Sequence, residues 1–244
     1  MTCEACQTIP PVVVNDYQTK GEWKEVAGLK TYITGPLTSK KAIIDIYDVF
    51  GLASQTLQGA DLLAAAVGAI VLVPDFLKGQ VAKEEWFTTQ EMSEEKAAFF
   101  KILALDENAK KLTDFLEVAK GEYSGVESWG AFGLCWGGKI AVLASQPGTS
   151  FKVSGQVHPG RLDVEDAKKL NIPHIVLASN GEDKKVVDQY HEVLVGEGKP
   201  GVVEYYGNMH HGWMGARAKL HEEENLKEYE RGYNQLAAYF SKYL

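Results

Sequence analysis

The 244-residue chain carries only three cysteines, Cys3, Cys6 and Cys135. That is too few to staple a disulfide-rich secreted fold, so a reducing compartment, the cytosol, is expected. Cys3 and Cys6 form a C-x-x-C with no second pair and no preceding strand, which suits a frayed arm better than a zinc or redox site. Long apolar runs are also missing: none approaches the roughly 18 residues of a membrane span. The opening MTCEACQTIPP lacks the apolar stretch of a secretory signal. Positive charge is scarce, with 25 Lys+Arg against 33 Asp+Glu and a net charge of -8, and no basic stripe is present that could neutralise phosphates. A nucleic-acid partner is therefore not expected, and neither is a membrane. The histidines repeat at no ligand spacing, so no metal or other cofactor is expected. No repeat or Gly/Ser/Pro-rich linker interrupts the chain, which predicts a surface arm over residues 1–17 and a single domain over 18–244.

What the sequence does have is alternation. Short β-branched runs, KTYIT, KAIIDIYD, AIVLVPD, WGAFGL, FKVSGQVH, PHIVLAS and GVVEYYG, read as strands. Helical spacing lies between them, in QTLQGADLLAAAVG, in a long stretch from Glu94 to Lys120 that breaks near LDENAK, in DKKVVDQYHEVLVGEG, and in a C-terminal packing helix from Glu222 to Leu244. Strands alternating with helices predict an α/β fold, a mostly parallel central sheet with helices on both faces.

The segment GAFGLCWGGKIAVLA supports three readings. From Gly133 to Lys139 it approximates a phosphate loop, but Ile140 stands where that loop needs a hydroxyl for magnesium. Around Cys135 it is G-x-C-x-G, a nucleophile on a strained strand-to-helix elbow with small residues two before and two after. The third reading is close packing of a helix on a strand, with Cys135 as an inert small hydrophobe. Chain order favours the elbow. A nucleophile needs a base and an orienting acid, and later strand ends supply Asp183, with Glu182 beside it, in NGEDK, then His210 and His211 in NMHHGW.

With Cys135 in GLCWGG, Asp183 in SNGEDK and His211 in HHGW, and with IYDVFGL, VPDF and HPG at matching positions, the chain resembles the dienelactone hydrolase family over most of its length. The resemblance implies an α/β-hydrolase fold and a Cys135–His211–Asp183 triad acting on a small-molecule lactone or other activated ester. It implies an oxyanion hole of the Val49 and Trp136 backbone N–H groups, and selects His211, which precedes Gly and an aromatic residue, over His210. It also implies that Asp48 stands where the family carries an acid that gates the resting cysteine, and that Arg217 holds a substrate carboxylate. Trp86, Phe87, Trp136, Trp213 and Met214 suggest an apolar pocket, and His158 in VHPG reads as a structural part of the site floor. A lactone-directed isomerase or cyclase, or a non-catalytic small-ligand binder, could use the same scaffold.

Overall fold

The computed structural model describes residues 17–87, 91–196 and 198–244. Cys3, Cys6 and the expected arm, apart from Tyr17, lie outside them. Eight strands form one sheet in the order β1-β2-β4-β3-β5-β6-β7-β8. They are β1 (Glu22–Val26), β2 (Leu29–Thr34), β3 (Lys41–Ile46), β4 (Ile70–Pro74), β5 (Ser128–Leu134), β6 (Val153–Val157), β7 (His174–Ser179) and β8 (Gly201–Tyr206). From β4 through β8 every pairing is parallel, whereas β2 runs antiparallel to β4 and to β1. β3 and β4 are buried almost end to end, as strands covered on both faces must be.

The sequence reading finds β2 to β8 and misses β1. Four of its five residues, EWKEV, are exposed, so no apolar alternation marks it. A two-residue turn joins β1 to β2, and both Ala27 (φ 51°) and Gly28 (φ 72°) take the left-handed conformation that a tight hairpin needs.

The helices are α1 (Ser54–Val67), α2 (Glu94–Ile102), α3 (Leu105–Glu122), α4 (Trp136–Ala144), α5 (Val164–Lys169), α6 (Lys184–His191) and α7 (Glu223–Tyr243), and the expected break at LDENAK separates α2 from α3. Alternate residues of β5 show that both faces are covered. Phe132 meets Phe240 of α7 edge-on at 6.1 Å, while a Cβ on Gly133 would strike Gly137 of α4. α1 packs on α7, and α3 packs on α4.

Strand order reverses between β3 and β5, the first running on to β4 and the second to β6. The carboxyl ends flanking such a reversal open a crevice in parallel sheets. The candidate residues follow β3, β5, β6, β7 and β8 at that edge.

Candidate active site

Cys135 sits between the end of β5 and the start of α4, with φ 53° and ψ -114°. A non-glycine residue in that region is strained, and the structure around it must hold it there. Glycines make the turn possible. A Cβ on Gly133 would lie 2.1 Å from the Gly137 carbonyl carbon, and one on Gly137 would lie 2.1 Å from the Ile46 carbonyl oxygen. The Cys135 backbone is pinned on both sides: its N–H donates to Val157 O (3.0 Å), and its carbonyl accepts from Gly160 N–H (2.9 Å). Its buried side chain stands at the N-terminus of α4, whose dipole favours a thiolate.

The phosphate-loop reading fails on Lys139. This lysine is buried in α4 and paired with Asp166, with Asp163 at 4.0 Å, so its charge is already matched within the protein.

His211 follows β8 and is fully buried. Its Nδ1 lies 2.6 Å from Oε1 of Glu182, which fixes Nδ1–H as the donor and leaves Nε2 to take and give a proton. The Glu182 carboxylate also accepts from the Ser179 N–H and, at 3.2 Å, from the Ser179 hydroxyl. The expectation that Asp183 touches the histidine is corrected here. Asp183 is exposed and caps α6, its Oδ1 accepting from Lys185 N–H at 2.9 Å. Asp is a preferred cap, so its place immediately before the helical run KKVVDQYH was the signal that it was already committed. Glu182, one position earlier, turns inward and reaches His211 with its extra methylene. His210 is spent on the loop, its Nε2 donating to Arg217 O at 2.9 Å.

The loop that carries His211 is tied down at several points. Gln55 Nε2 donates to Ala216 O and Ala218 O (3.4 and 3.3 Å), Asn225 Nδ2 to Trp213 O (3.0 Å), and the Tyr233 hydroxyl to Met214 O (3.1 Å). Asp48 joins this loop to the one after β3. Its Oδ1 accepts from Phe50 N–H (2.9 Å) and its Oδ2 from Ala216 N–H (3.0 Å). Burial pushes the Asp48 carboxyl up, and the nearby Arg217 charge works against that shift. Asp48 therefore acts as a tie between two site loops, a role that its place in the sequence did not reveal.

Val49 lies on that tied loop, its carbonyl accepting from Ala82 N–H at 2.9 Å. Trp136 opens α4, and its N–H belongs to the first turn, where helix N–H groups have no intrahelical acceptor. A Cβ on Gly160 would come within 3.2 Å of that nitrogen, so glycine keeps the space beside it open.

Arg217 is buried rather than presented to solvent, its guanidinium 4.5 Å over the Phe50 ring. Trp213, expected to line the substrate pocket, is instead packed behind the site. It stacks on Tyr206 at 4.4 Å and abuts Gly232 of α7. The Trp136 indole likewise points away, donating to Leu103 O at 3.0 Å. The aromatic clustering seen in the sequence is, for these two residues, packing. His158 is a residue that sequence reasoning undervalued. It follows β6, is fully buried, and meets His211 edge to face with ring centroids 5.1 Å apart.

Among the described residues no helix is long and apolar enough to cross a membrane. The profile of the dienelactone hydrolase family matches residues 29–244. An uncharacterized AIM2 family protein of Schizosaccharomyces pombe is 36% identical over 234 residues, covering 93% of each chain. A carboxymethylenebutenolidase homolog of Xenopus tropicalis is 30% identical over 184 residues, with 72% of this chain and 71% of that protein covered. The crystal structure of a dienelactone hydrolase from Anabaena variabilis shares the fold at a TM-score of 0.61, with 16% identity and coverage of 93% of this chain and 98% of that one. A family profile that takes in the elbow, the Glu182–His211 pair and the whole parallel sheet settles the placement: this chain belongs to the dienelactone hydrolase family.

Proposed function

We propose that the protein hydrolyses lactones or other activated carboxylic esters, with Cys135 as nucleophile, His211 as proton carrier and Glu182 as the acid that orients it. The observation that carries this reading is the 2.6 Å Glu182–His211 contact, found in a chain whose Cys135 is held in a left-handed elbow. Packing alone explains neither the strain at Cys135 nor the buried carboxylate on the histidine.

In this mechanism Cys135 gives its thiol proton to His211 Nε2 and its sulfur attacks the ester carbonyl, and the oxygen that becomes negative is stabilised by the backbone N–H groups of Trp136 and Val49. The tetrahedral intermediate collapses, the carbon–oxygen bond to the alcohol breaks, and His211 Nε2 delivers a proton to the leaving oxygen. A thioester remains on Cys135. His211 then draws a proton from water as it attacks the thioester, releasing the carboxylic acid and restoring the thiol. Glu182 keeps the proton of the neutral imidazole on Nδ1 and offsets its positive charge when Nε2 is protonated.

A cytosolic location suits the thiol. The relative named a carboxymethylenebutenolidase homolog supports a lactone substrate. The test is a screen of lactones, aryl esters and thioesters with wild type and Cys135→Ala side by side, with the products identified. Turnover to the free acid that Cys135→Ala abolishes is expected. A rearranged, unhydrolysed product would mark an isomerase, and binding without turnover would mark a non-catalytic scaffold.

A further inference from the structure

His158 combines three features that a floor residue would not need. Its backbone is left-handed, φ 36°, a conformation uncommon outside glycine. Its side chain is fully buried, yet among the described residues neither Nδ1 nor Nε2 reaches a hydrogen-bond partner on another residue. Finally, the ring lies against His211, and Gly160, two residues on, holds the Cys135 carbonyl. Strain and unpaired polar atoms at one buried position, in contact with the reacting histidine, point to a group that is completed by a ligand.

Strand order shows where that ligand group lies. Val49 approaches the nucleophile from the β3 side, whereas His158 approaches from the β6 side, next to the histidine proposed to protonate the leaving oxygen. We propose that His158 is a specificity residue that hydrogen-bonds a neutral hydroxyl on the alcohol portion of the ester, next to the scissile bond. Burial, together with the nearby His211 and Arg217, holds the His158 imidazole well below its ordinary pKa and therefore neutral. A neutral imidazole offers one N–H and one lone pair, which is the complement of a hydroxyl and a poor match for a carboxylate.

This inference rests on the hydrolase reading, and its test separates the two. The probes are 2-hydroxyphenyl acetate and phenyl acetate, which differ by that hydroxyl, and the readout is the ratio of their kcat/KM values. Wild type should favour the hydroxylated ester at least about tenfold, or roughly 1.4 kcal/mol. His158→Phe, which keeps a ring against His211 and deletes both nitrogens, should bring the ratio close to one. His158→Gly, which takes the left-handed backbone and has no side chain to hydrogen-bond, decides the matter by the same ratio if the phenylalanine variant fails to fold. Equal losses on both esters, or a wild-type ratio near one, would overturn the role of His158 while leaving hydrolysis intact. Turnover unchanged in Cys135→Ala would overturn the hydrolase reading and this inference with it.

Discussion

Replacing Glu182 by Gln tests the structure at its most specific point. The Glu182 carboxylate accepts on both sides, Oε1 from His211 Nδ1–H at 2.6 Å and from the Ser179 hydroxyl, and Oε2 from the Ser179 N–H. An amide can accept on only one side. Turning its NH2 toward Ser179 would set donor against donor at a backbone N–H that cannot move. The amide oxygen therefore stays on Ser179, and its NH2 faces His211 Nδ1. Nδ1 must then accept, so the proton moves to Nε2, the atom that has to receive one from Cys135. The wrong tautomer, with the loss of a buried negative charge beside the imidazolium, predicts about a thousandfold fall in kcat, or about 4 kcal/mol. Asp183→Asn is the control. Asn caps a helix as well as Asp, so turnover should stay within about twofold and stability within a few tenths of a kcal/mol. Steady-state kinetics on the best ester from the screen, with thermal melts of both variants, measure this. A large loss in Asp183→Asn with Glu182→Gln near wild type would refute the assignment.

Cys135→Ser should fold normally and turn over at least roughly tenfold more slowly, because a hydroxyl is barely ionised where a thiol of reference pKa about 8.5 can be; wild-type rates in that variant would show that thiolate formation is not what the elbow provides. Asp48→Ala removes the acceptor of two buried backbone N–H groups, Phe50 and Ala216, which predicts a loss of about 2–5 kcal/mol in urea unfolding; unchanged stability would mean that Asp48 is not the tie described. Asp45 on β3 is buried, with no partner for either oxygen among the described residues, and burial, reinforced by Asp48, holds its carboxyl well above the ordinary range. The folded chain thus keeps a proton that the unfolded chain releases above about pH 4, so stability falls as pH rises from there to the folded pKa. Asp45→Asn should melt above wild type at neutral pH, with the gap closing below about pH 4; a gap independent of pH would contradict this.

The sheet was legible because a strand covered on both faces must be apolar throughout, and runs such as IVLVP announce that requirement. β1 announced nothing, being an exposed edge held by a turn. At the site, Cys135 was legible through Gly133 and Gly137, since the elbow cannot form with side chains there. His211 was legible through its place after the last strand. The acid was misread by one residue because NGEDK offers two carboxylates, and only the start of α6 decides which one caps and which one turns inward. Trp213 looked like a pocket wall because tryptophan next to a catalytic histidine carries no mark of direction; its contact with Gly232 is set by α7, far away in sequence. His158 was undervalued for a related reason. Its positive φ and its contact with His211 are properties of the folded chain, and the tetrapeptide VHPG does not encode them.

Hydrolysis through Cys135 requires a covalent bond to its sulfur. Wild type turning over phenyl acetate, quenched in acid within the steady state and mapped by peptide mass spectrometry, should carry an acetyl group on the peptide containing Cys135, as a thioester that hydroxylamine removes. Cys135→Ala should show neither the adduct nor the turnover. Sustained hydrolysis in Cys135→Ala, or wild-type turnover with acetyl found only on other residues, would contradict the central claim.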